Sequence, residues 1–315
     1  MNKAELLNWI IFAVCAVSAL AVYSSYAKTA DIIQPGRKNP VAFSPEQYGL
    51  AFETVEFTTA DGIRLRGWFI PAPGGEAGRT VIFCHGWGSN RGEMLRDTHF
   101  LAEQGFNLLY FDFRASGESA GAISSVGYLE MRDFDAAYDF LKLNRPHAAE
   151  QVGVFGTSMG GSVAIFAAGK YPELVCLMAE NTFLSYKKVV ANWSWHRLKT
   201  PYFPLVALTL FFVRRRLKAD PEPYSPLYNI GKVKMPAMFI NGDNDDLVPL
   251  REAEALFGMC PSEKKRMWVI AGASHAKCAE VGGEVYRGKV SEFFSENLHE
   301  LAAAQPVPPS AAQQK

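Results

Sequence analysis

Two Gly-x-Ser-x-Gly segments lie in the middle of the chain, and each holds a serine that could act as a nucleophile. Residues 117–121 surround Ser119, and residues 156–160 surround Ser158. Glycines on both sides of such a serine let the chain turn sharply from a strand into a helix, which leaves the hydroxyl exposed at the turn. The pattern is short, so the neighbouring segments must decide between the two serines.

The neighbouring segments favour Ser158. The apolar run 151–155 is typical of a buried strand and leads directly into the turn, and residues 160–168 continue with a helical pattern. In open α/β sheets ligands bind beyond the carboxyl ends of the strands, where this turn would place the serine. Residues 114–116 separate Ser119 from its strand, and a poor helix start follows it. We therefore interpret the upstream match as a coincidence in a loop rich in Gly and Ser.

A serine hydroxyl needs a base to take its proton, and the base needs a third group to orient it. His275 follows the apolar run 266–270 on a glycine-containing loop, at the same end of the predicted sheet as Ser158. This position predicts that His275 is the base. The other histidines fall in predicted helices, in a loop at the opposite edge, in an insertion, or beside a strand, so we expect them to be structural or exposed.

Three aspartates compete for the role of the acid on the loop after the apolar run 237–240. Asp245 is central in this loop and is best placed to reach His275. We expect Asp243 and Asp246 to cap turns or the following helix. The sequence therefore predicts Ser158, His275 and Asp245 as nucleophile, base and acid.

The elements that must position these residues are visible as short apolar runs separated by helical patterns. The first two runs alternate in period two around an Asp-Gly turn, which predicts an antiparallel start. The later runs are unbroken, as in parallel strands buried on both faces. The implied fold class is α/β: a mostly parallel eight-stranded sheet with an antiparallel start and helices on both faces. The runs are residues 53–58, 63–70, 80–84, 107–113, 151–155, 174–179, 237–240 and 266–270.

Residues 182–233 contain no clear strand and are predicted to form a helical cap insertion. The segment includes the apolar run 202–213, followed by three consecutive arginines at 214–216. About 12 apolar residues are too few to cross a bilayer. Two interpretations stay open: the cap packs only on the sheet domain, or its apolar face also touches lipid while the arginines meet head groups.

The N-terminus carries an apolar segment long enough to span a bilayer, at residues 6–26. We predict a transmembrane anchor or signal segment over residues 1–27 and favour an uncleaved, single-pass anchor, because the apolar run exceeds the usual length in signal peptides. Lys28, Arg37 and Lys38 follow the span and weakly favour a cytoplasmic domain, but the side of the membrane stays open.

The rest of the chain divides into three parts. Residues 28–50 contain three prolines and are predicted to be a linker. Residues 51–299 form the predicted catalytic domain, and residues 300–315, rich in Ala, Pro and Gln, a disordered tail.

The chain has 32 Lys and Arg and 32 Asp and Glu, so no charge surplus is available to hold nucleic acid.

Five segments together resemble the α/β-hydrolases, and specifically the membrane-anchored abhydrolase-domain serine hydrolases. The resemblance covers about residues 50–298, and the order serine, aspartate, histidine along the chain is the one found in that fold. The segments are VIFCHGWGSN at 81–90, LLYFDFRASGESAG at 108–121, VGVFGTSMGG at 152–161, MPAMFINGDNDDLVP at 235–249 and GASH at 272–275.

The resemblance implies nucleophile Ser158, acid Asp245 and base His275, with an oxyanion hole made by the backbone N–H groups of Trp87 and Met159. It also implies hydrolysis of carboxylic esters or thioesters without a cofactor or metal. The apolar cap and the predicted anchor favour small-molecule or lipid-like acyl esters as substrates. A peptidase, an acyltransferase and a non-catalytic binding module on the same fold are the alternatives.

Overall fold

The computed structural model describes residues 2–34 and 39–299. Residues 35–38 of the predicted linker and the predicted tail, residues 300–315, lie outside the described residues.

Eight strands form one sheet, in the positions expected from the apolar runs. The strands are β1 (Glu53–Thr58), β2 (Arg64–Ile70), β3 (Arg79–Cys84), β4 (Asn107–Phe111), β5 (Gln151–Thr157), β6 (Cys176–Glu180), β7 (Ala237–Gly242) and β8 (Lys265–Ile270). Their order in the sheet is β1-β2-β4-β3-β5-β6-β7-β8. Strand β2 pairs antiparallel with β1 and β4, and the remaining pairs are parallel. The predicted fold class is confirmed.

Helices cover both faces of the sheet because alternate strand residues point to opposite sides. The helices are α1 (Lys3–Ile33), α2 (Arg91–Thr98), α3 (Glu130–Asn144), α4 (Met159–Lys170), α5 (Tyr186–Leu198), α6 (Ala207–Leu217), α7 (Pro226–Asn229), α8 (Leu250–Met259) and α9 (Cys278–Asn297). On β3, Ile82 belongs to the core shared with α3, α4 and α8, whereas Val81 and Phe83 belong to the core shared with α2 and α9.

The insertion predicted at residues 182–233 forms α5, α6 and α7, which lie between β6 and β7 in the chain. The core shared with α3 and α4 extends into it, since Val190 of α5 and Val213 of α6 are buried there. The cap therefore packs on the face of the sheet that carries α4.

Helix α1 is the one described helix that is long and apolar enough to cross a membrane, with a mean hydropathy of 2.2 over its most apolar 18 residues. Its first two-thirds are exposed, whereas Ser25, Thr29, Ile32 and Ile33 are buried. The helix continues through residues 28–33, for which the sequence predicts a linker. Tertiary packing explains the difference: buried residues at 25, 29 and 32 share one helical face, and that face contacts the cap and the domain core.

Candidate active site

Ser158 lies at the turn between β5 and α4, with φ 56° and ψ −114°. A non-glycine residue with positive φ is strained, and the neighbouring glycines make this conformation possible. A Cβ on Gly160 would lie 1.9 Å from the carbonyl oxygen of Cys84, and a Cβ on Gly156 would lie 2.2 Å from the carbonyl oxygen of Gly160. Both glycines of the motif are therefore required by close backbone packing.

The structure brings Ser158, His275 and Asp245 together in one chain of hydrogen bonds. His275 Nε2 lies 3.0 Å from Ser158 Oγ, and His275 Nδ1 lies 2.8 Å from Asp245 Oδ2. The Asp245 side chain is fully buried, while that of His275 is 23% exposed at the cavity. An ionised carboxylate can only accept hydrogen bonds, so Nδ1 of His275 carries the proton. Nε2 is then left to accept a hydrogen bond from the serine hydroxyl.

Asn181 also holds the Asp245 carboxylate, and the sequence analysis missed it. Its Nδ2 donates to Asp245 Oδ2 at 2.8 Å, and its own Oδ1 accepts from Cys278 Sγ at 3.2 Å. Burial raises the pKa of the Cys278 thiol, which keeps it protonated as a donor. The other carboxylate oxygen accepts from the backbone N–H groups of Leu247 at 2.9 Å and Val248 at 2.8 Å.

The two competing aspartates lie outside this hydrogen-bonded chain. Asp243 Oδ1 accepts from the backbone N–H of Gly272 at 2.6 Å, which joins the loop of Asp245 to the loop of His275. Asp246 is exposed at the cavity, and helix α8 begins without a side-chain cap. Asp246 therefore does not form the predicted N-cap of α8.

Trp87 and Met159, whose backbone N–H groups are the predicted oxyanion donors, line the same cavity as Ser158. Met159 is the first residue of α4, so its N–H has no partner within the helix. Trp87 follows β3, and the loop approaches the serine closely: a Cβ on Gly86 would lie 3.6 Å from Ser158 Cβ. Neither the Trp87 nor the Met159 N–H donates to a protein acceptor within the described residues. Backbone N–H groups of this kind can stabilise a negative oxygen.

His85 is fully buried, and its side chain forms a hydrogen bond with the backbone of this loop. Its Nε2 accepts from the Phe113 N–H at 2.9 Å, so its Nδ1 donates to the Gly86 carbonyl at 2.7 Å. Burial lowers the pKa of His85 and keeps the ring neutral. Its contacts fix the peptide that precedes Trp87, in line with the structural role expected for it.

Ser119, the serine of the upstream motif, is buried away from His275's hydrogen-bonded chain. Its Oγ donates to the Asp112 carbonyl at 2.6 Å and accepts from the Arg66 N–H at 2.9 Å. These bonds hold the loop after β4 against β2. The hydroxyl therefore has a structural function.

A cavity of about 640 Å³ opens beside Ser158 and His275. Helix α5 supplies apolar wall residues, including Val189 and Val190, and a polar edge that includes Arg197. The C-terminal end of α1 supplies a further part of the lining, Asp31 and Ile32. The sequence analysis placed these two residues in a linker and gave them no part in the site.

Comparison with known proteins agrees with the fold. Residues 75–220 match the family described as "Serine aminopeptidase, S33". The uncharacterized protein YqkD of Bacillus subtilis is 29% identical over 255 residues, which cover 78% of this chain and 81% of that protein. Protein bem46 of Schizosaccharomyces pombe is 26% identical over 258 residues, which cover 81% of this chain and 80% of that protein.

A solved structure gives the same result for the fold. An esterase of Pyrococcus furiosus superposes with a TM-score of 0.73 at 29% sequence identity, and the match covers 85% of this chain and 99% of that one. The sheet order, the serine at the turn after β5 and these similarities lead to one assignment. The chain has the α/β-hydrolase fold and is similar in sequence to members of that superfamily.

Proposed function

We propose that the protein is a serine hydrolase that cleaves carboxylic esters or thioesters through an acyl-enzyme on Ser158. One observation carries the proposal: Asp245, His275 and Ser158 form a continuous chain of hydrogen bonds next to Trp87 and Met159, whose backbone N–H groups donate to no protein acceptor within the described residues. Nucleophile, base, orienting acid and oxyanion donors are the parts that acyl transfer requires.

The reaction would proceed in two steps. Ser158 Oγ attacks the acyl carbon as its proton passes to His275 Nε2, and the two N–H groups stabilise the oxyanion. The bond to the leaving alcohol or thiol then breaks, and His275 protonates the leaving group. A water molecule, deprotonated by His275, attacks the acyl-serine, and the carboxylic acid departs as the proton returns to Ser158.

Acyl-chain or lipid-like esters are the proposed substrates, and α1 is the proposed uncleaved membrane anchor. The apolar wall that α5 provides for the cavity favours an acyl chain. The exposure and hydropathy of the first part of α1 favour a bilayer span. The similarity to an esterase of Pyrococcus furiosus supports the ester bond as the target.

Peptidase activity is the second candidate. The matched family is described as a serine aminopeptidase, and the exposed Asp246 carboxylate at the cavity could pair with the amino terminus of a peptide. Hydrolysis of aminoacyl p-nitroanilides in preference to p-nitrophenyl esters would favour this candidate over the esterase.

Labelling by a fluorophosphonate probe tests the proposal on the detergent-purified full chain. We expect wild type and Ser119→Ala to be labelled and Ser158→Ala to remain unlabelled, while p-nitrophenyl esters of increasing length measure the preferred acyl chain. Absence of labelling on folded wild type would refute the proposal. Labelling that survives Ser158→Ala would assign the nucleophile elsewhere.

A further inference from the structure

The C-terminal part of α1 is attached to the cap at a defined level. Ser25 Oγ donates to the Leu205 carbonyl at 3.1 Å, in the turn that precedes α6. The Tyr26 ring meets Phe212 of α6 edge to face at 5.5 Å, and the Arg216 guanidinium lies 4.4 Å above the same ring. These contacts hold α6 beside residues 25 and 26, where the apolar segment of α1 ends.

The next turns of α1 reach the active site. The Trp87 indole N–H donates to the Ile32 carbonyl at 3.1 Å, and the Ser124 N–H donates to the Ile33 carbonyl at 2.8 Å. A helix rises about 1.5 Å per residue, so Ile32 lies about 9 Å beyond Tyr26 along the axis. The cavity wall therefore begins less than two turns from the end of the proposed span.

The two segments of the cap that contact Ser25 and Tyr26 also expose aromatic side chains. Phe203 is 74% exposed, Phe211 is 48% exposed and Tyr202 is 38% exposed. The Arg215 guanidinium lies 5.3 Å from the Phe211 ring centre, so a cation accompanies the apolar surface. Aromatic rings beside arginines are typical of helices that lie in the interface between lipid and water.

The charge of the cap adds an independent argument. Residues 182–233 contain nine Lys and Arg and two Asp and Glu, a net charge of +7, although the whole chain has equal numbers of the two kinds. Basic residues next to a membrane span are attracted to anionic lipid. The exposed aromatic face and the positive charge belong to the same insertion.

We propose that the cap face formed by Tyr202, Phe203, Phe211 and Arg215 lies on the anionic surface of the leaflet that α1 enters, so that the cavity takes its acyl ester directly from the bilayer. The inference rests on the proposed hydrolase function and on α1 as a membrane span. The substrate class is an amphiphilic acyl ester whose chain resides in the leaflet. A freely soluble ester would gain nothing from this surface.

Quenching by lipid measures the membrane contact independently of catalysis. Single labelling sites are made by Phe203→Cys or Leu143→Cys in a Cys15→Ser background, because the other four cysteines are buried. Leu143, on α3, is 81% exposed and serves as the matched control. In vesicles of phosphatidylcholine and phosphatidylserine with doxyl-labelled lipid, we expect about twofold or stronger quenching at residue 203 and none at residue 143.

Kinetics then test loading from the bilayer. In the same vesicles, Phe203→Glu combined with Phe211→Glu should lower hydrolysis of embedded p-nitrophenyl palmitate about tenfold, because charged side chains leave the interface. Hydrolysis of soluble p-nitrophenyl acetate should stay at the wild-type rate. The control Leu143→Glu should change neither rate.

Different outcomes separate the two proposals. A label at residue 203 that is no more quenched than one at residue 143 overturns the membrane surface. An unchanged palmitate rate in the double variant overturns loading from the bilayer. Wild type that hydrolyses neither ester refutes the proposed function, and loading falls with it, while the quenching result still decides whether the cap touches lipid.

Discussion

The Asp245 carboxylate is buried and accepts hydrogen bonds on both oxygens, from Asn181 and His275 on one and from the backbone of the loop on the other. A buried carboxylate that is satisfied in this way has one orientation, and this orientation aligns the histidine. Asn181 is therefore a positioning residue that acts through Asp245.

We expect Asn181→Ala to lower kcat about tenfold with little change in KM, because a hydrogen bond to a charged group contributes about 1.5–3 kcal/mol and only part of this is lost from the transition state. Steady-state kinetics with p-nitrophenyl butyrate measure the change. Asn229→Ala is the matched control, since Asn229 is also buried and bonds to backbone carbonyls in the cap. An equal loss of kcat in both variants would contradict the positioning role.

The sequence indicated the three residues of the hydrogen-bonded chain because each follows a strand at the same end of the sheet. Their position could be predicted from local patterns: Ser158 after β5, Asp245 after β7 and His275 after β8. Asn181 follows β6 in the same way, but an asparagine after a strand is an ordinary turn residue. Only the three-dimensional contact with Asp245 distinguishes it.

At the scale of elements, α1 connects the membrane to the active site: its first part is the proposed membrane span, and its C-terminal end lies at the cavity. The bond from the Trp87 indole to the Ile32 carbonyl couples the end of the helix to the loop that supplies one of the two proposed oxyanion donors. The helix end is thus expected to affect catalysis through the position of this loop, although it carries no reacting group.

We expect Trp87→Phe to lower kcat about three- to tenfold, because it removes the indole donor and retains the backbone N–H, and one lost hydrogen bond is equivalent to about 1 kcal/mol. The measurement is kcat on a soluble ester. Trp193→Phe makes the same change of side chain in the same cavity and should have a smaller effect, because the Trp193 indole N–H donates to no protein acceptor within the described residues. Equal effects of the two substitutions would refute the coupling.

Local patterns predicted the strands and most helices, but they could not predict how α1 packs. Tyr26 and Phe212 are 186 positions apart in the sequence. No local pattern in either segment identifies the other segment as its packing partner. Helical periodicity reports which face is apolar, whereas the partner of that face is decided by tertiary contacts. The residues predicted as a linker became helical for this reason.

At the scale of the whole molecule, a buried acid makes stability depend on pH. Burial raises the pKa of Glu180 to about 8, although the Tyr286 hydroxyl donates to its carboxyl group at 2.7 Å. The folded state keeps this proton while the unfolded state, with an ordinary pKa of 4.5, loses it. The contribution of Glu180 to the free energy of unfolding therefore declines as pH rises from about 4.5 to about 8.

We expect Glu180→Gln to have a Tm close to that of wild type at pH 5 and a Tm higher by roughly 5 °C or more at pH 8, because the amide never ionises. Thermal unfolding in detergent across this pH range measures the difference. Tyr286→Phe removes the donor that favours the ionised form, so its stability should continue to fall to a higher pH than that of wild type. Parallel pH curves for wild type and Glu180→Gln would show that Glu180 does not titrate in this range.

The continuity of α1 with the cavity matters for anyone who wishes to make the enzyme water-soluble by shortening it. A cut before Ser25 removes the apolar part and leaves the contacts with Leu205 and Phe212 in place. A cut after Gln34 also discards Ile32, and with it a side of the cavity and the acceptor for Trp87. Two soluble forms that differ by ten residues at one end would then report different substrate preferences, and only the longer would represent the native enzyme.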